Sequence, residues 1–137
     1  MIEKALKIAI EAHSGQLEKD GNPYIMHPLR LMSDVETVEE KCVALLHDVA
    51  EDTDVSIEEI REAFPPAVAD AVALMTHDDG SEYEVYIKRL AENPIARKVK
   101  MADMRDNMNI LRIPKLSDKD LERLRKYHTH YRFLESL

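Results

Sequence analysis

Ala44-Leu45-Leu46-His47-Asp48-Val49-Ala50-Glu51-Asp52-Thr53 sets a dense polar cluster inside an otherwise apolar helical stretch. Residues four apart stand one turn above another, so on a helix His47 aligns with Glu51 and Asp48 with Asp52. Leu45, Leu46 and Val49 draw part of the segment toward a core, a mixed placement that simple solvation of the polar groups would not need. Carboxylates gathered in a partly buried site cost free energy unless protons, bases or a cation compensate. Neutral imidazole and ionised carboxylate are both good ligands for a divalent metal. Two readings therefore stand side by side: a metal site, or a core histidine beside a surface turn of acids.

Outward from this stretch the sequence reads as helices in both directions. Thr37 followed by Glu40 is a capping-box pattern that opens the helix leading into His47. Upstream, Ile2, Ala5, Leu6, Ala9 and Ala12 recur at helical spacing with His13 on the same side. Gln16 to Pro23 concentrates turn formers, and Pro28 suits the first turn of a short helix that begins after His27. Downstream, Ser56 with Glu59 predicts the next start, and Pro65-Pro66 breaks the chain before a helix reaching Thr76. Ser81 with Glu84 is read as a further cap, and Asn93-Pro94 opens a segment running to about Ile110. Ser117 with Asp120 precedes a long pattern of Leu121, Leu124, His128, Tyr131 and Leu134, with His130 facing solvent. The expectation is an all-α bundle of about seven or eight helices, with residues 1–137 as a single domain.

Composition agrees with that reading. The chain has 137 residues, 45% of them hydrophobic, which is ordinary for a folded domain and too apolar for disorder. No apolar run is long enough to span a bilayer, and Met-Ile-Glu-Lys lacks the layout of a signal peptide. The lone cysteine, Cys42, sits among apolar neighbours as a small buried hydrophobe, so a cytoplasmic location is expected. A formal net charge of -8 repels nucleic acid and anionic membranes at long range, while leaving local cations free to serve a small anionic ligand.

Two more stretches join the central one. His27 precedes a helix start, where a short loop can aim it inward. Asp103 lies in Lys100-Met101-Ala102-Asp103-Met104-Arg105-Asp106-Asn107-Met108, with Asn107 one turn beyond it. Arg97, Lys98 and Lys100 form either a basic rim or a solvated helix face. A second His-Asp pair, His77-Asp78, falls where a helix should end; there His77 complements the terminal carbonyls and Asp78 belongs to the turn.

The order His, then adjacent His-Asp, then a distant Asp resembles the HD-domain phosphohydrolase superfamily. Longer stretches sharpen the likeness: Ala12-His13-Ser14-Gly15-Gln16, Gly21-Asn22-Pro23-Tyr24-Ile25-Met26-His27-Pro28, the Ala44–Thr53 motif and the Lys100–Met108 segment. They look like the hydrolase domain of the bifunctional alarmone synthetase/hydrolases and their small stand-alone relatives, over about the first 110 residues. That resemblance implies an HD-type helical bundle that hydrolyses guanosine tetra- or pentaphosphate at the 3′-pyrophosphate. It implies His27, His47, Asp48 and Asp103 as ligands of one divalent metal, usually manganese. Glu51 and Asp52 take the catalytic position, which activates water and handles protons. Asn107 falls at a nucleotide-contacting position, and Lys19 matches a basic residue near the phosphates.

The sequence departs from the family at two places. Relatives carry Arg-Lys where this chain has Glu18-Lys19, and their arginine packs on the guanine base, which a carboxylate cannot do. The usual Asp-Arg-Leu-His-Asn pattern is replaced by Asp103-Met104-Arg105-Asp106-Asn107. The alternatives are an HD-type hydrolase of another nucleotide or small phosphate ester, and a regulatory module that binds metal or nucleotide without turnover. Each expects a small phosphorylated partner, and none involves nucleic acid or a membrane. The oligomeric state stays open.

Overall fold

Cys42, Val43, Ala44, Leu45 and Leu46 are all fully buried, so the helix that carries them, α3 (Val38–Leu46), needs neighbours on every side. In the computed structural model, which describes residues 1–137, those neighbours are α1 (Ile2–Ala12), α2 (Met26–Ser33), α6 (Pro66–Met75) and α8 (Pro94–Asn107). The remaining elements are α4 (Val49–Asp52), α5 (Ile57–Ala63), α7 (Tyr83–Ala91), a 3-10 turn (Ile110–Arg112) and α9 (Asp118–Glu135). The fold is all-α; its only ladder-type contact is an isolated bridge between Leu17 and Pro23. Counted with α3, the single turn of α4 leaves eight helices. A core of 26 buried apolar residues draws on every one of them, and each fully buried Leu or Ile contributes about 1.5–3 kcal/mol.

Local chemistry sets most helix starts. Thr37 and Glu40 form the expected capping box, as do Ser117 and Asp120, while Ser56 caps α5 and Asn93 caps α8. Ser81 does not cap α7. Its N–H is taken by Asp79 and its carbonyl by His77 Nε2 at 2.6 Å, which hold it in the preceding turn, and Glu82 occupies the N-cap position. His77 thus ties down this loop rather than the carbonyls ending α6. The segment opened by Asn93-Pro94 stops at Asn107, short of Ile110.

The face of α9 also differs from the sequence pattern. Asp120 is buried, Leu121 is 47% exposed, and Tyr127, His130 and Tyr131 are half-buried while His128 faces solvent. Asp120 is fixed by its cap bonds from Ser117 and by Lys19, so the inward row runs through Leu124, Tyr127, Tyr131 and Leu134. No helix is long and apolar enough to cross a membrane.

Candidate metal and phosphate site

The break between α3 and α4 falls at His47 and Asp48. His47 closes α3, and its Nδ1 donates to the Ala44 carbonyl at 2.7 Å. With the proton on Nδ1, Nε2 turns its lone pair into the molecule. Asp48 occupies the N-cap position of α4 but makes no side-chain cap bond. Its carboxylate instead accepts from the Tyr24 hydroxyl and faces the same interior point. The helix break is what lets adjacent residues converge.

His27 sits at the second residue of α2, inside the helix rather than before it, and Asp103 in the buried middle of α8. The sequence places these residues far apart and the fold joins them. One ligand atom each from His27, His47 and Asp103 lie within 4.8 Å of one another. His27 Nε2 is 2.9 Å from Asp103 Oδ1; Asp48 Oδ2 lies 3.0 Å from His47 Nε2 and 4.0 Å from His27 Nε2. Despite that approach His47 Nε2 is buried with no hydrogen-bond partner. An orphaned buried nitrogen among ionised carboxylates fits a transition-metal ion, which accepts both donor types.

The electrostatics point the same way. Burial opposes charge at His47, yet Asp48 and Asp103 raise it well above the usual imidazole range. Burial likewise opposes ionisation of Asp103, but Lys100, His27 and His47 hold it well below the ordinary carboxylate value. The field at this point favours a positive charge.

A cavity of about 450 Å³ opens onto these groups, with Tyr24, His27, Asp48, Glu51, Asp103 and Asn107 on its walls. Lys100, Arg123 and Lys126 supply cations on its lining, beside Tyr83, Tyr86 and Tyr127. Of the cations before Asp103, Lys100 alone enters the cleft. Its side chain is 12% exposed, lies 3.0 Å from Asp103, and stands 5.3 Å over the Tyr86 ring. Lys98 stays at the surface, 3.5 Å from Glu40, and Arg97 donates to the Ala91 carbonyl.

Glu51 reaches the cavity wall, whereas Asp52 is exposed beyond that lining. Partial desolvation and then Asp48 raise both carboxyl groups above their ordinary values. Asn107 donates to Asp103 Oδ1 at 3.0 Å. Lys19 lines a second, smaller cavity of about 230 Å³ that shares Tyr24, His27 and Asn107 with the first. Its ammonium is bound to Asp120. His13 ends α1, packs at a tilt against the Tyr24 ring and bonds Gln16, and Gln16 reaches the Asp52 carbonyl at 3.3 Å. Sequence reasoning passed over Tyr24, Arg30, Tyr83, Tyr86, Arg123 and Lys126. Only Tyr24 carried a signal, through its place in the motif before His27.

The HD domain family matches residues 5–108. The chain is 37% identical over 125 residues to the guanosine-3′,5′-bis(diphosphate) 3′-pyrophosphohydrolase of Aquifex aeolicus, covering 80% of this chain and 18% of that protein. It is 35% identical over 116 residues to the enzyme of that name from Haemophilus influenzae, covering 82% of this chain and 16% of that protein. To the bifunctional (p)ppGpp synthase/hydrolase SpoT of Escherichia coli it is 34% identical over 125 residues, covering 86% of this chain and 17% of that protein. The chain therefore spans under a fifth of these relatives' length. A solved structure of a metazoan ortholog of SpoT, described as hydrolyzing ppGpp, superposes with a TM-score of 0.77 at 28% identity over 97% of this chain and 82% of that one. A helix break that turns His47 and Asp48 toward His27 and Asp103, in a fold shared with such relatives and matched from residue 5 to 108, makes this chain a member of the HD domain family.

Proposed function

We propose that residues 1–137 form one catalytic domain, a metal-dependent phosphohydrolase that cleaves the 3′-pyrophosphate of guanosine tetra- or pentaphosphate. One observation carries the reading: the donor cluster of His27, His47 and Asp103, with Asp48 beside it, shares a cavity with Lys100, Arg123 and Lys126. Metal donors and cations on one cleft suit a polyanionic substrate. The hydrolases named among the relatives support the choice of alarmone.

His27, His47, Asp48 and Asp103 would hold the ion, both donor types being good ligands for a divalent metal; manganese is the choice that the resemblance to the alarmone hydrolases implies. Bound there, a divalent cation supplies Lewis-acid chemistry, acidifying water and drawing electron density from a phosphoryl oxygen. Glu51, on the cavity wall with a raised carboxyl, orients the attacking water and takes its proton. Asp52 sits next to it as a partner in proton transfer, their titrations being linked through Asp48. Attack forms a bond from water oxygen to phosphorus and breaks the bond from phosphorus to the ribose 3′ oxygen, which leaves with a proton; the products are the nucleoside 5′-polyphosphate and pyrophosphate. Lys100 and Lys126 steady phosphate charge, and Asn107 contacts the nucleotide from beside Asp103. Lys19 would reach phosphate by exchanging Asp120 for it. A cytoplasmic setting belongs to the same proposal, since a nucleotide substrate and the unpaired Cys42 suit a reducing compartment.

A second substrate class is favoured by Glu18, a carboxylate on the wall of the smaller cavity. It suits a nucleotide or phosphate ester other than the alarmone. Turnover with manganese, measured on guanosine tetraphosphate, guanosine triphosphate and nucleoside monophosphates, separates the two. Pyrophosphate released from guanosine tetraphosphate is the expected result. Phosphate released only from the simpler esters would move the assignment to the second class, and turnover of none of them would leave a binding module.

A further inference from the structure

Asp106 stands in the last turn of α8 with both carboxylate oxygens engaged. Oδ2 accepts from His27 Nδ1 at 2.6 Å and from Arg30 Nη2 at 3.1 Å, while Oδ1 accepts from Arg30 Nε at 2.8 Å. Arg112 Nη2 also lies 3.1 Å from Oδ2 and donates to the Asp106 carbonyl at 2.7 Å. Arg30 turns its other edge to Glu18 and bonds both of its oxygens. The two departures from the family pattern, at positions 18 and 106, thus meet through one guanidinium.

The arrangement bears on a single atom. A neutral imidazole has one donor and one acceptor nitrogen, and a nitrogen facing a carboxylate is the donor. Asp106 is held in place from its other side by two guanidiniums, Arg30 at 2.8 and 3.1 Å and Arg112 at 3.1 Å. Both ring nitrogens face a carboxylate, Nε2 meeting Asp103 at 2.9 Å, but with a cation held between Nε2 and Asp103 the one proton of neutral His27 would reside on Nδ1, beside Asp106. Nε2 is left as the acceptor, turned toward Asp103 and Asp48. With its side chain only 5% exposed, the ring has little room to turn elsewhere.

We propose that Asp106 is a positioning residue: clamped by Arg30 and Arg112, it fixes the tautomer and aim of His27 toward the cation, and Glu18 completes the clamp by locking Arg30. The inference rests on the metal-dependent reading above and adds to it. Partners that orient a metal-bound histidine are worth about 10–100-fold in metal affinity, which sets the size of the effect.

The test is manganese binding by calorimetry on the full chain and on Asp106→Asn, with Asp34→Asn as control because Asp34 pairs only with Arg105 at the surface. Asp106→Asn is expected to keep its helical circular dichroism and to bind manganese about 10–100-fold more weakly. Glu18→Gln loses less in the same direction, and Asp34→Asn loses nothing. A second measurement needs no variant: long-range proton–nitrogen NMR on the unaltered chain loaded with zinc should show the His27 proton on Nδ1 and the metal on Nε2. Unchanged affinity in a folded Asp106→Asn, or zinc on Nδ1, would overturn the positioning role and leave the metal site standing. No manganese binding by the unaltered chain would overturn the metal reading itself, and this inference with it.

Discussion

Lys100 shows how much a single side chain depends on its surroundings. As one of three closely spaced cations it reads equally well as a solvated residue, yet the fold tucks it between Asp103 and the Tyr86 ring. Burial alone would discharge it, but Asp103 holds it charged, well above the usual lysine range. A cation so placed can neutralise a phosphate without being ordered first. Lys100→Met is expected to lower kcat/KM at least 10-fold while the protein still binds manganese, read by steady-state kinetics beside calorimetry. Loss of metal binding with the rate per bound metal unchanged would contradict that role. At Glu51 the division is similar: Glu51→Gln should keep the metal and lose about 10²–10⁴-fold in rate, the range for a general base. A Gln variant with full activity would remove Glu51 from the chemistry.

Among the elements, α3 does most to place the site, because its C-terminal end delivers His47 and its N-terminal end is secured by the Thr37–Glu40 box. Burial works against ionised Glu40, but bonds from the Thr37 and Glu36 N–H groups, together with Lys98, hold its carboxyl below the ordinary value. A folded-state pKa below the unfolded one means that the unfolded chain binds more protons, so this contribution is present above about pH 4.3 and fades as pH falls. Glu40→Gln should therefore cost about 1 kcal/mol near neutrality, with the gap from the unaltered protein closing below about pH 4 in denaturant titrations. A gap independent of pH would mean that the carboxylate's charge contributes nothing. Elements were legible where residues three apart formed a capping pattern, as at Thr37, Ser56 and Ser117. Ser81 had the same pattern and failed, because His77 and Asp79 claimed its backbone first. On α9 the phase was lost for a tertiary reason, since Asp120 turns inward only when Lys19 comes across from a distant loop.

For the whole molecule, the four proposed ligands were readable because each lies in a local motif, and their convergence on one point follows from packing α2 and α8 against α3. The opposite wall was not readable. Tyr83, Lys100, Arg123, Lys126 and Tyr127 come from three helices with no shared motif, and only the fold brings them to one cavity. The Arg30 clamp on Glu18 and Asp106 was hidden for the same reason. Because α3 holds both core and site, Leu45→Ala should cost about 2–5 kcal/mol, measured by chemical denaturation, and weaken metal binding in proportion to the unfolded fraction. A variant that unfolds more readily without any loss of metal would separate core from site.

The proposed site gathers imidazoles and carboxylates from separate helices around one cation, and anomalous diffraction from manganese-soaked crystals would locate that ion. The expected result is a single strong peak in contact with His27, His47, Asp48 and Asp103, absent from Asp48→Ala crystals. A peak elsewhere, or none beside these four residues in a well-ordered crystal, would contradict the proposed site.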